Sequence, residues 1–355
     1  MKPPRPSKLW NEKWHIAALV VAFFPLLSHI WLGSIGDPWE SDRQELTEKL
    51  TNASDQFSRE KLELLLQDRL DLVWRADAVF GFGFVLFVSG MVAWVRLFSR
   101  KRKGKPTIVG VFQAPEARWG LWDVVKIFAW SMVGVQIIHF LVALVVTLLN
   151  IKGFDRHMEA ATSTLCVDLM VVALVFLLVL KPLKLSWRAL GLFRDRLAWQ
   201  IKTGCWGYTL WIPLMVVVMM ALVWVTSVLQ VEAKPQAAVV MMFQESRPRL
   251  LLVLTGLIAV IGPVAEEILF RGLAFVALKR RFGVRVGLIG SAALFAGAHA
   301  NAFAFAPIFA LGWLLGWLYE RTGSLVPSIV VHMLHNTGML FLTMTIKDIL
   351  SLLSV

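Results

Sequence analysis

The chain of 355 residues is 57% hydrophobic and only 17% charged, and its mean hydropathy is +0.67. The apolar share exceeds the roughly 45–50% of soluble domains, so the composition excludes an ordinary soluble fold. A formal net charge of +12 would suit nucleic-acid binding in a soluble protein. Here the Lys and Arg residues are concentrated in short segments between apolar runs, which is the pattern of membrane topology.

Apolar runs of about 20 residues, each long enough to cross a hydrocarbon core as a helix, recur along the chain. Lipid cannot satisfy open backbone groups, so we predict an all-α fold, a polytopic transmembrane helix bundle of about eight or nine spans. The predicted spans are residues 15–34, 76–97, 124–149, 160–180, 204–229, 249–281, 284–300, 302–319 and 325–346.

The segment between the first two spans, at about residues 35–75, differs from the other loops. Residues 37–75 hold ten acidic and six basic residues, and leucines at close to helical spacing predict one or two amphipathic helices. Basic residues in the alternate loops place the N-terminus in the cytoplasm. We therefore predict that residues 1–122 form a two-span N-terminal extension whose helical loop is extracytoplasmic.

A cluster of charged residues lies within the apolar run at 249–281. Glu267 and Arg271 are four residues apart, with the acid first, which is the favourable arrangement for an ion pair on one helix face. Glu266 points about 100° away from Glu267 and cannot easily share the arginine. The spacing predicts a structural pair that leaves the carboxylate of Glu266 free to accept a proton. Pro263 suits a helix start or a kink.

Two later spans carry further polar residues. Phe295 and His299 lie four residues apart in the predicted span 284–300, among small residues that allow helices to approach closely. His332 and Asn336 lie four apart in the last span, where hydrogen-bonding side chains need partners. Alone, each group has a structural explanation: a salt-bridged helix end, a packing histidine or bonds between helices. Together they supply a base for water and donors for an oxyanion, the groups needed to split an amide.

At these positions the chain resembles the CPBP family of intramembrane proteases, which groups CAAX prenyl endopeptidases with bacteriocin-processing and immunity-type proteins. The family motifs are Glu-Glu-x-x-x-Arg, Phe-x-x-x-His and His-x-x-x-Asn, and all three are present here in that order along the chain, at Glu266 to Arg271, Phe295 to His299 and His332 to Asn336. The motif-bearing part covers about residues 250–340. The motifs look like those of the bacterial branch, which suggests the bacterial inner (plasma) membrane.

The resemblance implies the roles of these residues. Glu266 and His299 are expected to activate water, His332 and Asn336 to hold the oxyanion, and Glu267, Arg271 and Phe295 to support them. Residues 123–355 would then be a membrane protease core. The partners implied are the lipid bilayer and a membrane protein or peptide substrate, and no nucleic acid.

The metal requirement is open at this stage. The glutamate and water mechanism requires no cofactor, so the enzyme would be a glutamate-type endopeptidase. A zinc ion held by Glu266, His299 and His332 is the alternative that ligand type allows, which would make it a metalloprotease.

Two other classes of function also stay open. One is a non-catalytic scaffold or immunity factor of the same fold. The other is a proton-coupled transporter that uses Glu266 and Asp168. A transporter predicts paired broken helices in two halves, whereas one Gly-Pro break is present, at Gly262-Pro263. No chemistry is assigned to Asp168 in the peptidase interpretation.

Overall fold

The computed structural model describes residues 39–56, 70–105, 118–230 and 234–353, and within these residues it is helical without strands. The predicted all-α fold class is confirmed. Eleven α-helices are present in the described residues: α1 Glu40–Gln56, α2 Leu70–Arg102, α3 Leu121–Leu148, α4 Arg156–Val175, α5 Leu197–Leu229, α6 Ala237–Gln244, α7 Pro248–Gly256, α8 Gly262–Glu267, α9 Val276–Ala298, α10 Phe305–Thr322 and α11 Leu325–Leu353.

Six of the described helical stretches are long and apolar enough to cross a membrane, so the protein is an integral membrane protein. They are Val73–Arg102, Leu121–Leu148, Arg156–Leu180, Leu197–Leu229, Pro248–Ala298 and Leu325–Ser351. The first predicted span, residues 15–34, lies outside the described residues.

The stretch Pro248–Ala298 is too long for one crossing, and it contains several irregular turns. π-Helical turns at Leu257–Ile261 and Ile268–Phe275 flank α8. Gly283 has φ 85° and ψ 169° inside α9, a combination that is essentially confined to glycine. The chain therefore breaks there, between the predicted spans 249–281 and 284–300.

α8, which carries Glu266, lies between two other helices. It packs against α4 and against α11, the helix of His332. α9 packs against α10, and α10 packs against α11. This arrangement brings the helices that bear the three motifs together in the same part of the bundle.

The amphipathic helix predicted before the second span is present as α1. It packs against α6 and α11, and Leu46 is buried. At the start of α1, the carboxylate of Asp42 pairs with Arg156 at 2.7 Å. The rest of the predicted helical loop, residues 57–69, lies outside the described residues.

Candidate active site

Glu267 and Arg271 form a fully buried ion pair. Nη1 of Arg271 lies 2.8 Å from Oε1 of Glu267, and both side chains are completely excluded from solvent. The pair joins the end of α8 to the π-helical turn that follows, as the four-residue spacing predicts. A buried charge is costly unless it is paired and hydrogen-bonded, so this pair is a constraint on the local structure.

The guanidinium of Arg271 has two further contacts with neighbouring helices. Nη2 donates to the backbone carbonyl of Gly312 on α10 at 3.2 Å. The guanidinium carbon lies 4.2 Å from the ring centroid of Phe295, which is a cation–π contact. Arg271 thus ties the helix of the first motif to α9 and α10.

His332 bridges the two adjacent glutamates. Its Nδ1 atom lies 3.1 Å from Oε1 of Glu267, and its Nε2 atom lies 3.5 Å from Oε2 of Glu266. Because an ionised carboxylate only accepts hydrogen bonds, Nδ1 is assigned as the donor to Glu267. The second nitrogen of the ring is therefore turned toward Glu266.

Glu266 differs sharply from its neighbour in exposure. Its side chain is 32% exposed, whereas that of Glu267 is fully buried. The two carboxyl groups therefore have different environments although they are adjacent in the chain. Water can reach Glu266, while Glu267 is committed to Arg271 and His332.

His299 lies at the end of α9 with one ring nitrogen already engaged. Its Nδ1 atom lies 2.8 Å from the carbonyl oxygen of Phe295, to which it donates. The lone pair is then on Nε2, so the second nitrogen is the basic one. The Phe295 ring packs edge-on against the rings of both His299 and His332, with centroid distances of 4.9 and 5.5 Å.

Asn336 contacts the irregular backbone before Glu266. Its Nδ2 atom donates to the carbonyl of Ile258 at 2.8 Å. In a π-helical turn each carbonyl accepts from the residue five positions later, which here is Pro263 and has no N–H. The side chain of Asn336 therefore supplies the donor that the proline lacks. The second N–H of its amide group is left for another acceptor.

Six of the seven residues predicted for the site form a connected set of contacts, and the seventh, Asn336, bonds the Ile258 carbonyl instead. Among the described residues, however, no hydrogen bond or ion pair joins Glu266 to His299, and Phe295 lies between the two histidine rings. His335, which is outside the motifs, accepts from Nε1 of Trp211 at 3.1 Å. It has a packing role apart from the other two histidines.

The described residues contain no group of three or more His, Cys, Asp or Glu side chains arranged to hold a metal ion. Glu266 and His332 approach each other, but His299 does not complete a three-ligand set with them. The zinc alternative stays a prediction, and no step of the chemistry below is routed through a metal.

Two residues at the site were missed by sequence reasoning as members of it. Gly312 supplies the carbonyl for Arg271, and the Oδ2 atom of Asp168 on α4 lies 3.8 Å from the point where a Cβ on Gly262, at the start of α8, would stand. Neither has a motif of its own. A charged residue at membrane depth was the signal for Asp168, which entered only the transporter alternative; its sequence pattern did not indicate that α4 would pack against α8.

The fold and the site define a class of protein: a polytopic helical membrane protein that holds acid and imidazole side chains within its bundle. Within that class, residues 248–338 match the family described as type II CAAX prenyl endopeptidase, Rce1-like, which is a peptidase family. The match covers about a quarter of the chain and includes all three motifs. The resemblance inferred from those motifs is confirmed for this segment. No curated protein and no solved structure matches the chain.

Proposed function

We propose that this protein is an intramembrane endopeptidase that hydrolyses a peptide bond of a membrane-associated protein or peptide. The observation that carries the proposal is the position of His332, which is held by Glu267 and directs Nε2 toward the accessible Glu266 at 3.5 Å. An exposed acid beside a fixed imidazole is a minimal arrangement for acid–base catalysis.

In this mechanism Glu266 is the general base, assisted by His299. Glu266 takes a proton from water while the water oxygen forms a bond to the carbonyl carbon of the substrate. When the C–N bond breaks, that proton passes to the departing amine. The Nε2 lone pair of His299, fixed by the bond from Nδ1 to Phe295, makes it the second group that can orient the water.

His332 and Asn336 are the proposed donors to the oxyanion of the tetrahedral intermediate. In its imidazolium form His332 donates through Nδ1 to Glu267 and has a second N–H for the oxyanion. The second N–H of Asn336 is the other donor.

We infer that the substrate is membrane-associated because the site is formed by helices of the bundle. The matched family is named for prenylated CAAX proteins, and such a chain end is the first candidate for this enzyme. A leader peptide or a bacterial membrane protein is the second, since the motifs resemble the bacterial branch. The presence of Glu266, His299, His332 and Asn336 together argues against a non-catalytic scaffold of the same fold.

We also propose that the N-terminus is cytoplasmic, that the membrane is the bacterial inner membrane, and that residues 1–122 are an extension to a protease core at 123–355. Exposed basic residues at Lys181, Lys184 and Arg188 support a cytoplasmic position for that loop. α1 would then be extracytoplasmic. This orientation is tested in a chain that lacks Cys166 and Cys205. Single cysteines are placed at Lys184 and at Glu48, both exposed, and a membrane-impermeant thiol reagent shows on which side each one lies.

The test of activity uses the full chain in lipid vesicles with a farnesylated CAAX peptide as the probe. It is paired with a comparison of N-terminal peptides in membranes from cells that produce the wild type or Glu266→Gln. We expect cleavage by the wild type that Glu266→Gln lowers by at least about a hundredfold. Glu320→Gln, which removes a carboxylate from the same region outside the site, should cleave normally.

Cleavage by Glu266→Gln at the wild-type rate would overturn the proposal. So would identical peptide termini in the two sets of membranes together with an intact probe. Proton flux that depends on a transported solute, without any cleavage, would replace the peptidase with a transporter.

A further inference from the structure

The turn that follows His299 has an unfavourable backbone conformation. α9 ends at Ala298, and Ala300 has φ 49°. A residue with a Cβ adopts this left-handed conformation at a cost, and it persists where the surrounding structure holds the chain. The N–H of Ala300 donates to the carbonyl of Gly297 at 3.0 Å. The direction of the chain beyond His299 is therefore set within one residue.

Asn301, the next residue, fixes this turn to two other segments of the chain. The residue is buried. Its Oδ1 atom accepts a hydrogen bond from the backbone N–H of Ala304, just before α10, at 3.0 Å. Its Nδ2 atom donates to the backbone carbonyl of Lys234, in the segment between α5 and α6, at 3.0 Å. Both ends of the amide group are used, and each is bonded to a different segment.

The ring of His299 is held from within its own helix. Its Nδ1 atom donates to the carbonyl of Phe295, one turn earlier, at 2.8 Å, and the two rings pack edge to face. Helix ends fray, so the ring keeps this position only while the last turn of α9 stays wound. Asn301 is the first buried residue after His299, and its two hydrogen bonds anchor that end of the helix.

We propose that Asn301 is a positioning residue for His299: its two hydrogen bonds keep the last turn of α9 wound and so keep Nε2 of His299 directed at the hydrolytic water. Asn301 does not touch the reacting atoms. The inference rests on the proposed function, because it assigns a support to the second water-orienting group of that site. It also adds the segment of Lys234, which precedes the matched residues 248–338, to the parts of the chain that build the site.

Ser324 offers a matched control at the opposite end of α10. It is fully buried, and its Oγ atom accepts from the N–H of Val326, in the helix that follows, at 3.2 Å. The same atom lies 3.1 Å from the carbonyl oxygen of Gly191, in a distant segment. Ser324→Ala therefore removes a similar pair of contacts from a turn that contains none of the site residues.

The first test is a double-mutant cycle on cleavage of the farnesylated CAAX peptide. Asn301→Ala should lower kcat by roughly tenfold to a hundredfold with KM unchanged, because a misplaced water-orienting group slows the reaction without weakening binding. In a His299→Gln background, the same substitution should lower kcat by less than about twofold more. Asn301→Ser keeps an acceptor for the Ala304 N–H and should lose less activity than the alanine variant. Ser324→Ala should keep kcat within about twofold of its parent in both backgrounds.

The second test needs no substrate. Nitrogen NMR of the full chain in detergent, with isotope-labelled histidine in alkaline buffer, distinguishes a neutral ring with its proton on Nδ1 from one with its proton on Nε2. The signals that His299→Gln removes belong to His299. They should show the Nδ1 form in the wild type and in Ser324→Ala, and a mixture of forms in Asn301→Ala. Thermal unfolding shows whether each variant is folded, and Asn301→Ser replaces the alanine variant if that one is not.

The outcomes separate this inference from the proposed function. If Glu266→Gln is inactive while Asn301→Ala keeps the kcat and the His299 signals of the wild type, Asn301 does not position His299 and the peptidase still stands. An equal fall in kcat from Asn301→Ala in both backgrounds, or a similar fall from Ser324→Ala, would also overturn the inference. Full activity of Glu266→Gln would overturn the peptidase itself, whereas changed His299 signals in Asn301→Ala would still support the anchoring of that ring by Asn301.

Discussion

The Nδ1 atom of His332 lies 3.1 Å from Oε1 of Glu267, although the two residues are 65 positions apart in the chain. The same oxygen accepts from Arg271 at 2.8 Å. One carboxylate oxygen therefore fixes both an arginine of its own helix and an imidazole of another. The buried Glu267 therefore sets the orientation of the His332 ring, whose other nitrogen faces the accessible Glu266.

We expect Glu267→Gln to destabilise the protein strongly. The substitution preserves shape but leaves the buried guanidinium of Arg271 without a counter-charge, which costs about 3–5 kcal/mol. Thermal or denaturant unfolding in detergent measures the effect. The matched control is Glu320→Gln: its pair with Lys279 at 2.6 Å is partly exposed and should contribute about 1 kcal/mol or less. Equal losses in the two variants would contradict the importance of burial.

Gly312→Ala is expected to disturb the site without removing any polar group. A Cβ there would lie 3.0 Å from the ring of Phe295 and 3.2 Å from Nη2 of Arg271, so the buried side chains would have to shift. Overpacking of this kind costs about 1–3 kcal/mol, and activity should fall with it. Gly256→Ala is the control, since its Cβ would meet nothing within 4 Å. Comparable rates and unfolding temperatures for the two variants would speak against a tight fit at Gly312.

Asn336→Ala should affect both stability and the rate of cleavage. Removing the amide leaves the Ile258 carbonyl without its 2.8 Å donor, at a cost of about 1–3 kcal/mol. Loss of an oxyanion donor should lower kcat by roughly 10²–10³ with little change in KM. Thr343→Val on the same helix removes a hydroxyl that bonds only its own backbone, and it should cleave normally. A variant that loses stability but keeps kcat would remove Asn336 from the oxyanion site.

Glu245, between α6 and α7, offers a prediction about pH. Side-chain hydrogen bonds from Arg247 hold the pKa of Glu245 well below its ordinary value of 4.5, and a bond from His157 adds to the effect. Because the folded pKa is lowered, the stabilisation is complete above pH 4.5 and is lost as the pH falls through the folded value.

Glu245→Gln should therefore unfold at a lower temperature than the wild type at neutral pH, with a loss of about 2–3 kcal/mol. The gap should narrow only below about pH 4.5. Glu159→Gln, which changes an acid in the first turn of α4, should cost less than about 1 kcal/mol. If the difference in stability between the wild type and Glu245→Gln stays constant down to pH 3, the charge of Glu245 is not the source of the stabilisation.

Local chemistry made part of this structure predictable. The ion pair of Glu267 and Arg271 follows from a four-residue spacing on a helix, and the break at Gly283 falls between two predicted spans, as a glycine between apolar runs indicates. The convergence of the three motif helices followed from the resemblance. These features depend on neighbours in sequence or on motifs that can be read directly.

Contacts between distant helices were not predictable in the same way. Sequence periodicity gives the face on which Asp168 lies but not the helix it meets, so its position beside Gly262 at the start of α8 required the packed bundle. The carbonyl of Gly312 carries no side-chain signal at all. The bond from Asn336 to the Ile258 carbonyl depends on a π-helical turn. The sequence indicated a helix start or a kink at Pro263, but it did not predict that a π-helical turn would precede it.

The backbone conformation of Gly283 affects the relative position of the first two motifs. The acid at Glu266 and the imidazole at His299 belong to one continuous stretch of chain that doubles back at a single residue with φ 85°. The distance between Glu266 and His299 therefore depends on the backbone angles of Gly283 as well as on side-chain contacts. A residue with a Cβ at that hinge would put the two motifs out of alignment while every functional group remained chemically intact.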